Sequence, residues 1–190
     1  YVAYATGGLW YTNNNGTSFS PVMDAAETVN CGSVTVDWNS GTIWVGTGEV
    51  NASRSSYAGV GVLKSSDKGK TWENLGLKDS HHISRIWVNP SNLNEIVVAT
   101  VGHLYTTNKE RGIYKSTDGG KSWKQTLFVA EDAGIIDLAV SKNNPKIMFA
   151  AAWERERKAY NFKGNGIGSG IYKSEDAGTT WKKMDANSGF

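Results

Sequence analysis

The sequence has a single cysteine, Cys31, in 190 residues, so no internal disulfide can form; that alone neither implies nor excludes export. It has no strong charge excess. Twenty Lys and Arg against 18 Asp and Glu leave a net charge of +2, and the electrostatic footprint of a nucleic-acid binder is missing. No apolar run approaches the roughly 20 residues needed to cross a bilayer as a helix, so membrane insertion is not expected. Histidine is scarce, and His81 and His82 are adjacent with no carboxylate following at ligand spacing, which argues against metal catalysis. No metal and no cofactor is expected. No stretch has a convincing helical period. What the chain does have is eight Trp, eight Tyr and 22 Gly, the composition of a turn-rich β protein.

One octapeptide pattern recurs. Ser65-Ser66-Asp67-Lys68-Gly69-Lys70-Thr71-Trp72 returns as Ser116-Thr117-Asp118-Gly119-Gly120-Lys121-Ser122-Trp123 and as Ser174-Glu175-Asp176-Ala177-Gly178-Thr179-Thr180-Trp181. A worn copy, Thr12 to Phe19, has Asn14 for the Asp and Phe19 for the Trp. The closing aromatics are 53, 51 and 58 residues apart, a period that marks a repeat architecture. Each box is preceded by a short strand opened by Gly, such as Gly112-Ile113-Tyr114-Lys115. An Asp in a tight connection accepts bonds from amides just downstream, and the Gly two residues on supplies a positive φ. Asp67, Gly69, Trp72, Asp118, Gly120, Trp123, Asp176, Gly178 and Trp181 are therefore read as structural fasteners of hairpin turns. The Thr or Ser and the Trp are expected to resume a pleated strand, with the indole packed between layers.

The rest of each period fills in alike. Ile83 to Val88 alternates apolar and polar residues before the turn signal Asn89-Pro90-Ser91-Asn92, and Glu95 to Thr100 is the near-continuous apolar run of a strand buried on both faces. Val34–Trp38 with Thr42–Gly46, and Ile135–Val140 with Lys146–Ala150, repeat that pair. Four strands per period, stacked unit on unit, predict an all-β fold: a β-propeller of four-stranded antiparallel blades. The blades are placed at residues 1–24 (incomplete), 32–77, 82–128 and 134–186, all part of one propeller. That is about 3.75 units, below the roughly four needed for closure, so the expectation is a part of a larger ring, with self-assembly of several copies as the alternative.

The boxes resemble the Asp-box, or bacterial neuraminidase repeat, of sialidases, some endoglucanases, photosystem assembly factors and sortilin-type receptors. Gly46-Thr47-Gly48-Glu49, His82-Ile83-Ser84-Arg85-Ile86, Gly102-His103, Glu110-Arg111-Gly112 and Ala151-Ala152-Trp153 are similar to exported bacterial propellers of the sortilin-like (Vps-ten) branch, whose members are often labelled glycosyl hydrolases. The resemblance implies work outside the cytoplasm: secreted, periplasmic or at the cell surface of a bacterium.

Up-and-down blades put the loops between second and third strands, and between blades, on one rim. These are the long ones here: 48–57, 102–111, 153–168 and the connection Lys78 to His82. Binding chemistry favours long loops on a rigid scaffold. The candidates are Glu49, Arg54, His82, Arg85, His103, Trp153 and Arg155. Each has a plainer reading. Glu49 fastens a loop, His82 or Arg85 faces the channel or bonds between blades, and His103 satisfies loop backbone. The run Glu154 to Lys158 reads as a solvated, self-paired surface, and Trp153 as a cover over the end of the core.

Three functions compete: a rim that binds a protein, peptide or glycan; a glycoside hydrolase; and a scaffold among neighbouring chains of an envelope complex. A hydrolase needs two carboxylates about 5–10 Å apart. Glu49 and Glu154 are the natural pair, with Glu110 a weaker third. Arg54, Arg85 and Arg155 do not match the context of a sialidase arginine triad, and the Asp pair of propeller endoglucanases is missing. Binding is the favoured reading.

Overall fold

A computed structural model of the protein describes residues 1–188. Strands β1 (Val2–Tyr4), β2 (Gly8–Tyr11) and β3 (Ser20–Pro21) form a three-stranded sheet. Next come β4 (Cys31–Asp37), β5 (Thr42–Thr47), β6 (Val62–Ser65) and β7 (Glu73–Asn74), then β8 (Ile83–Asn89), β9 (Asn92–Thr100), β10 (Gly112–Ser116) and β11 (Lys124–Leu127). The last sheet takes β12 (Ala133–Val140), β13 (Met148–Glu154), β16 (Gly170–Ser174) and β17 (Lys182–Lys183). Between β13 and β16 rises a small hairpin, β14 (Glu156–Arg157) with β15 (Phe162–Lys163). Each four-stranded sheet is an antiparallel meander in chain order, the hairpin aside. These are the blades of a partial propeller.

The second strand of each sheet explains the apolar runs. Ile43 and Val45 of β5 pack with Leu9 of the preceding sheet and with Met23 just beyond it, while Trp44 packs with Ile83, Ile86 and Ile96 of the following one. In β9, Ile96 and Val98 face back and Val97 and Ala99 face forward, against Ile135 and Met148. Side chains alternate across a strand, so a strand between two blades has no polar face. Inner strands also bond across blades: Thr35 Oγ1 donates to the Ile86 carbonyl at 2.6 Å, and Ser84 Oγ to the Ile135 carbonyl at 2.7 Å.

The three complete boxes share one bonding scheme. In the second, Ser116 Oγ donates to Asp118 Oδ1 at 2.7 Å and accepts the Gly120 amide at 2.8 Å. Asp118 accepts the Ser122 amide at 3.0 Å and its hydroxyl at 2.5 Å. The worn copy keeps the scheme in part: Thr12 Oγ1 accepts the Gly16 amide at 2.9 Å, and Asn14 Oδ1 the Ser18 amide at 3.0 Å.

Two sequence readings need correction. The box Trp does not resume the strand, since β7, β11 and β17 begin one residue after it. The ring leaves the sheet to bond the preceding blade, with Trp72 Nε1 on the Val22 carbonyl at 3.2 Å and Trp123 Nε1 on the Leu75 carbonyl at 2.7 Å. The strand expected over Lys146–Ala150 instead runs Met148–Glu154, because the Ile147 amide is spent on the Asn144 carbonyl in a turn.

Candidate functional site

The long loops meet on one rim and are fastened to one another. Arg157 in the β14–β15 hairpin donates Nε to the Ala52 carbonyl, 105 residues away, at 3.0 Å. Tyr105 donates its hydroxyl to the Arg54 carbonyl at 2.6 Å, and His103 Nε2 lies 3.1 Å from the Asp79 carbonyl. The His103 ring stacks on His81 with centroids 3.7 Å apart; burial, then the like charge of His103, holds His81 below its usual pKa.

Beneath the 102–110 loop lies Arg111, 2 % exposed. Its Nε bonds Asn108 Oδ1 at 3.1 Å, its two Nη2 bonds reach the His103 and Thr106 carbonyls at 2.9 Å, and Nη1 reaches the Asp132 carbonyl at 3.3 Å. The loop is thus wrapped around a guanidinium. Gly102 makes room for it, since a Cβ there would sit 2.2 Å from Arg111 Cγ. A short strap, Leu104–Thr106, divides two cavities, one of about 240 Å³ toward Arg155 and Lys163 and one of about 220 Å³ toward His81 and His82.

Glu49 is buried, and its Oε1 accepts the Tyr57 amide at 3.2 Å. Arg54 and Tyr105 are exposed. His82 is 1 % exposed; its ring bonds the Glu49 backbone while Nδ1 has no partner among the described residues. Burial, then the nearby Arg155, push its pKa down to about 4, so the ring is neutral. Arg85 stands apart, paired with Asp137 Oδ1 on β12 at 2.7 Å beside Trp87 and Lys142. Trp153 donates Nε1 to the Gly164 carbonyl at 2.9 Å, and the Arg155 guanidinium lies 5.5 Å from its ring centroid.

The run after Trp153 is not a uniformly solvated surface. Glu154 is buried on the last residue of β13, where Lys163 Nζ at 2.8 Å and the Gly168 amide at 2.8 Å hold its pKa down. Arg155 is 4 % exposed with Nε unpaired; burial, then Arg111 and Arg157, lower its pKa to about 10. Only Glu156 and Lys158 form the self-paired surface, at 3.0 Å. Arg54, Arg85 and Arg155 are not one cluster; the arginines that share a cavity are Arg111, Arg155 and Arg157. Arg111, Arg157, Lys163 and Tyr105 were not among the sequence candidates. Glu110-Arg111-Gly112 was conspicuous as a motif, but its buried role depends on a loop closing over it.

Residues 61–189 match the Sortilin-Vps10 family, described as sortilin, neurotensin receptor 3. The chain belongs to that family. This Sortilin-Vps10 chain is 36% identical over 86 residues to the vacuolar protein sorting/targeting protein 10 of Kluyveromyces lactis, a stretch that is 45% of the chain and 5% of that protein. Its fold is similar to an ancestral GH74 enzyme (TM-score 0.66, 18% identity, 96% of this chain and 22% of that one). It is also similar to the GH74 xyloglucanase of Xanthomonas campestris (0.63, 17%, 96% and 27%) and to YCF48 bound to D1 peptide (0.55, 15%, 96% and 48%). At such identities these likenesses establish the propeller fold alone. The chain spans less than half the length of each of these relatives.

Proposed function

We propose that this chain is part of a propeller that binds a protein or peptide outside the cytoplasm, using the loop-rich rim. The observation that carries this reading is the cross-fastening of loops from three successive sheets by Arg157, Tyr105 and His103, which makes a preorganised surface rather than mobile ends. Preorganisation lowers the ordering cost of association. On that surface Arg54 and His103 would contact the ligand beside Trp153 and Arg155. Glu49 and His82 would support them from below, and Arg85 would serve the channel side. The receptor description of the family and the peptide held by YCF48 favour a protein ligand over a glycan. The compartment proposed is the bacterial envelope or beyond it, with residues 1–24, 32–77, 82–128 and 134–186 as successive blades of one ring. Neighbouring chains of an envelope complex fit the same surface.

The second reading is a glycoside hydrolase using Glu49 and Glu154, favoured by two buried carboxylates on one rim. Against it, the general acid of such a pair needs a raised pKa, and Glu154 is ion-paired and held down. Incubating the full-length protein with soluble polysaccharides, xyloglucan among them, separates the readings. The binding module releases no reducing ends; release that disappears in Glu154→Gln would establish the hydrolase.

A further inference from the structure

The cavity beside Arg155 has an unmet electrostatic demand. Four cationic side chains line it: Arg111, Arg155, Arg157 and Lys163. Three carboxylates, Asp132, Glu154 and Glu156, line it as well, but Glu156 is already paired with Lys158 at 3.0 Å, so the lining keeps a net positive charge. The donors are not equally committed. Arg111 is spent on Asn108 and three carbonyls, Arg157 donates Nε and Nη2 to Ala52, and Lys163 is paired with Glu154. The Arg155 guanidinium has no hydrogen-bond acceptor among the described residues, although Arg155 is 4 % exposed and its Nε is fully enclosed. A buried donor without an acceptor is costly, and a guanidinium offers two parallel donors to a two-oxygen anion.

We propose that this cavity is a subsite for a singly charged oxyanion of the ligand, a carboxylate or a sulfate ester, held by the Arg155 guanidinium. The inference rests on the binding reading above and assigns one contact within it. A monoanion is favoured over a dianion, because Asp132 and Glu156 stand in the same cavity and would repel the second charge. The volume, about 240 Å³, admits one amino-acid side chain or one small substituent and not a folded segment. The Trp153 ring, with its centroid 5.5 Å from the guanidinium carbon, adds a cation–π contact that favours the charged form.

The test uses the full-length protein with sodium acetate, sodium methyl sulfate and a phosphomonoester dianion, each against chloride at equal ionic strength. The readouts are the Arg155 Nε–H resonance and the melting temperature. Acetate or methyl sulfate is expected to move the resonance and raise the melting temperature; which of the two does so tells carboxylate from sulfate ester. Arg155→Met should fold, since it removes an unpaired buried charge, and should lose binding by about ten- to a hundredfold. Arg155→Lys keeps a charge but loses the two-pronged donor, and should weaken binding by at least about tenfold. Unchanged probe binding in both variants, no response of the Nε–H resonance to either monoanion, or preference for the dianion would overturn the subsite. The broader reading would then still stand or fall on peptide capture, which is measured separately.

Discussion

The indole of Trp123 donates to the carbonyl of Leu75, 48 residues earlier, at 2.7 Å. That bond joins the box of one blade to the outer strand region of the blade before it; Trp72 bonds the Val22 carbonyl likewise, and Trp181 shares its donor between the Thr126 hydroxyl of the preceding blade and the carbonyl of its own Gly178. The repeat is therefore a chain of clasps, and its stability lies between blades as much as within them. Trp123→Ala is expected to cost about 1–4 kcal/mol from lost packing and the lost bond, and Trp123→Phe about 1 kcal/mol. Urea unfolding of the two variants checks this; ligand binding at the rim should survive in both.

The turn geometry of the boxes carries local strain that substitution can relieve. The residue before the box Gly has positive φ in all three, and while Gly119 takes it freely, Lys68 sits at φ 65° and Ala177 at 58°. Ala177→Gly should raise stability by about 0.5–1 kcal/mol, the left-handed penalty less the greater chain entropy of Gly. Gly120→Ala should lower it, by about 1–3 kcal/mol, because its Cβ would meet Leu75 Cδ1 at 2.6 Å. Thermal melts of both variants should move in opposite directions.

The box carboxylates give the fold an acid limit. Hydrogen bonds from the Thr71 amide and hydroxyl hold Asp67 down from 3.8 to about 2, and those of Ser122 lower Asp118 further. Burial opposes the shift at Asp176, but the Thr180 bonds outweigh it and bring that carboxyl to about 2. A carboxylate with a depressed folded pKa stabilises above its unfolded value and loses that contribution as pH falls through the folded one. Stability should therefore fall between about pH 4 and 2, with a shallower slope in Asp67→Asn or Asp118→Asn, measured as urea midpoints against pH.

A second, higher window belongs to His82. Folding holds its pKa near 4 against an ordinary 6.5, so the unfolded chain takes up a proton that the folded chain refuses. Stability is expected to decline as pH falls from about 6.5 toward 4, and His82→Gln should flatten that segment while leaving the acid limit below pH 4 in place.

The fold was legible because its signals are local and repeated. The Asp–Gly–Trp spacing marks each turn, and runs such as Glu95 to Thr100 mark strands enclosed by blades on both faces. The site was less legible, for a physical reason. Arg54, Arg155 and Trp153 look alike as exposed loop residues in sequence, but Arg155 is buried, in a cavity it shares with the 104–107 strap and with residues of the β14–β15 hairpin. Arg111 reads as one more surface charge until its four partners are in place. Arg111 shares its cavity with Arg155 and Arg157, more than 40 residues on, and Arg157 is anchored to Ala52, 105 residues back; spacing along the chain does not encode such closures.

The central claim is that the loop-rich rim, not the box-bearing rim, holds a protein or peptide ligand. A peptide array probed with the full-length protein tests it most directly, in wild type, in Tyr105→Ala with Trp153→Ala, and in Trp123→Phe. The account predicts that wild type and Trp123→Phe select the same peptides while the rim double variant, still folded, loses them. The same selection by the rim variant, or its loss in Trp123→Phe alone, would contradict the account.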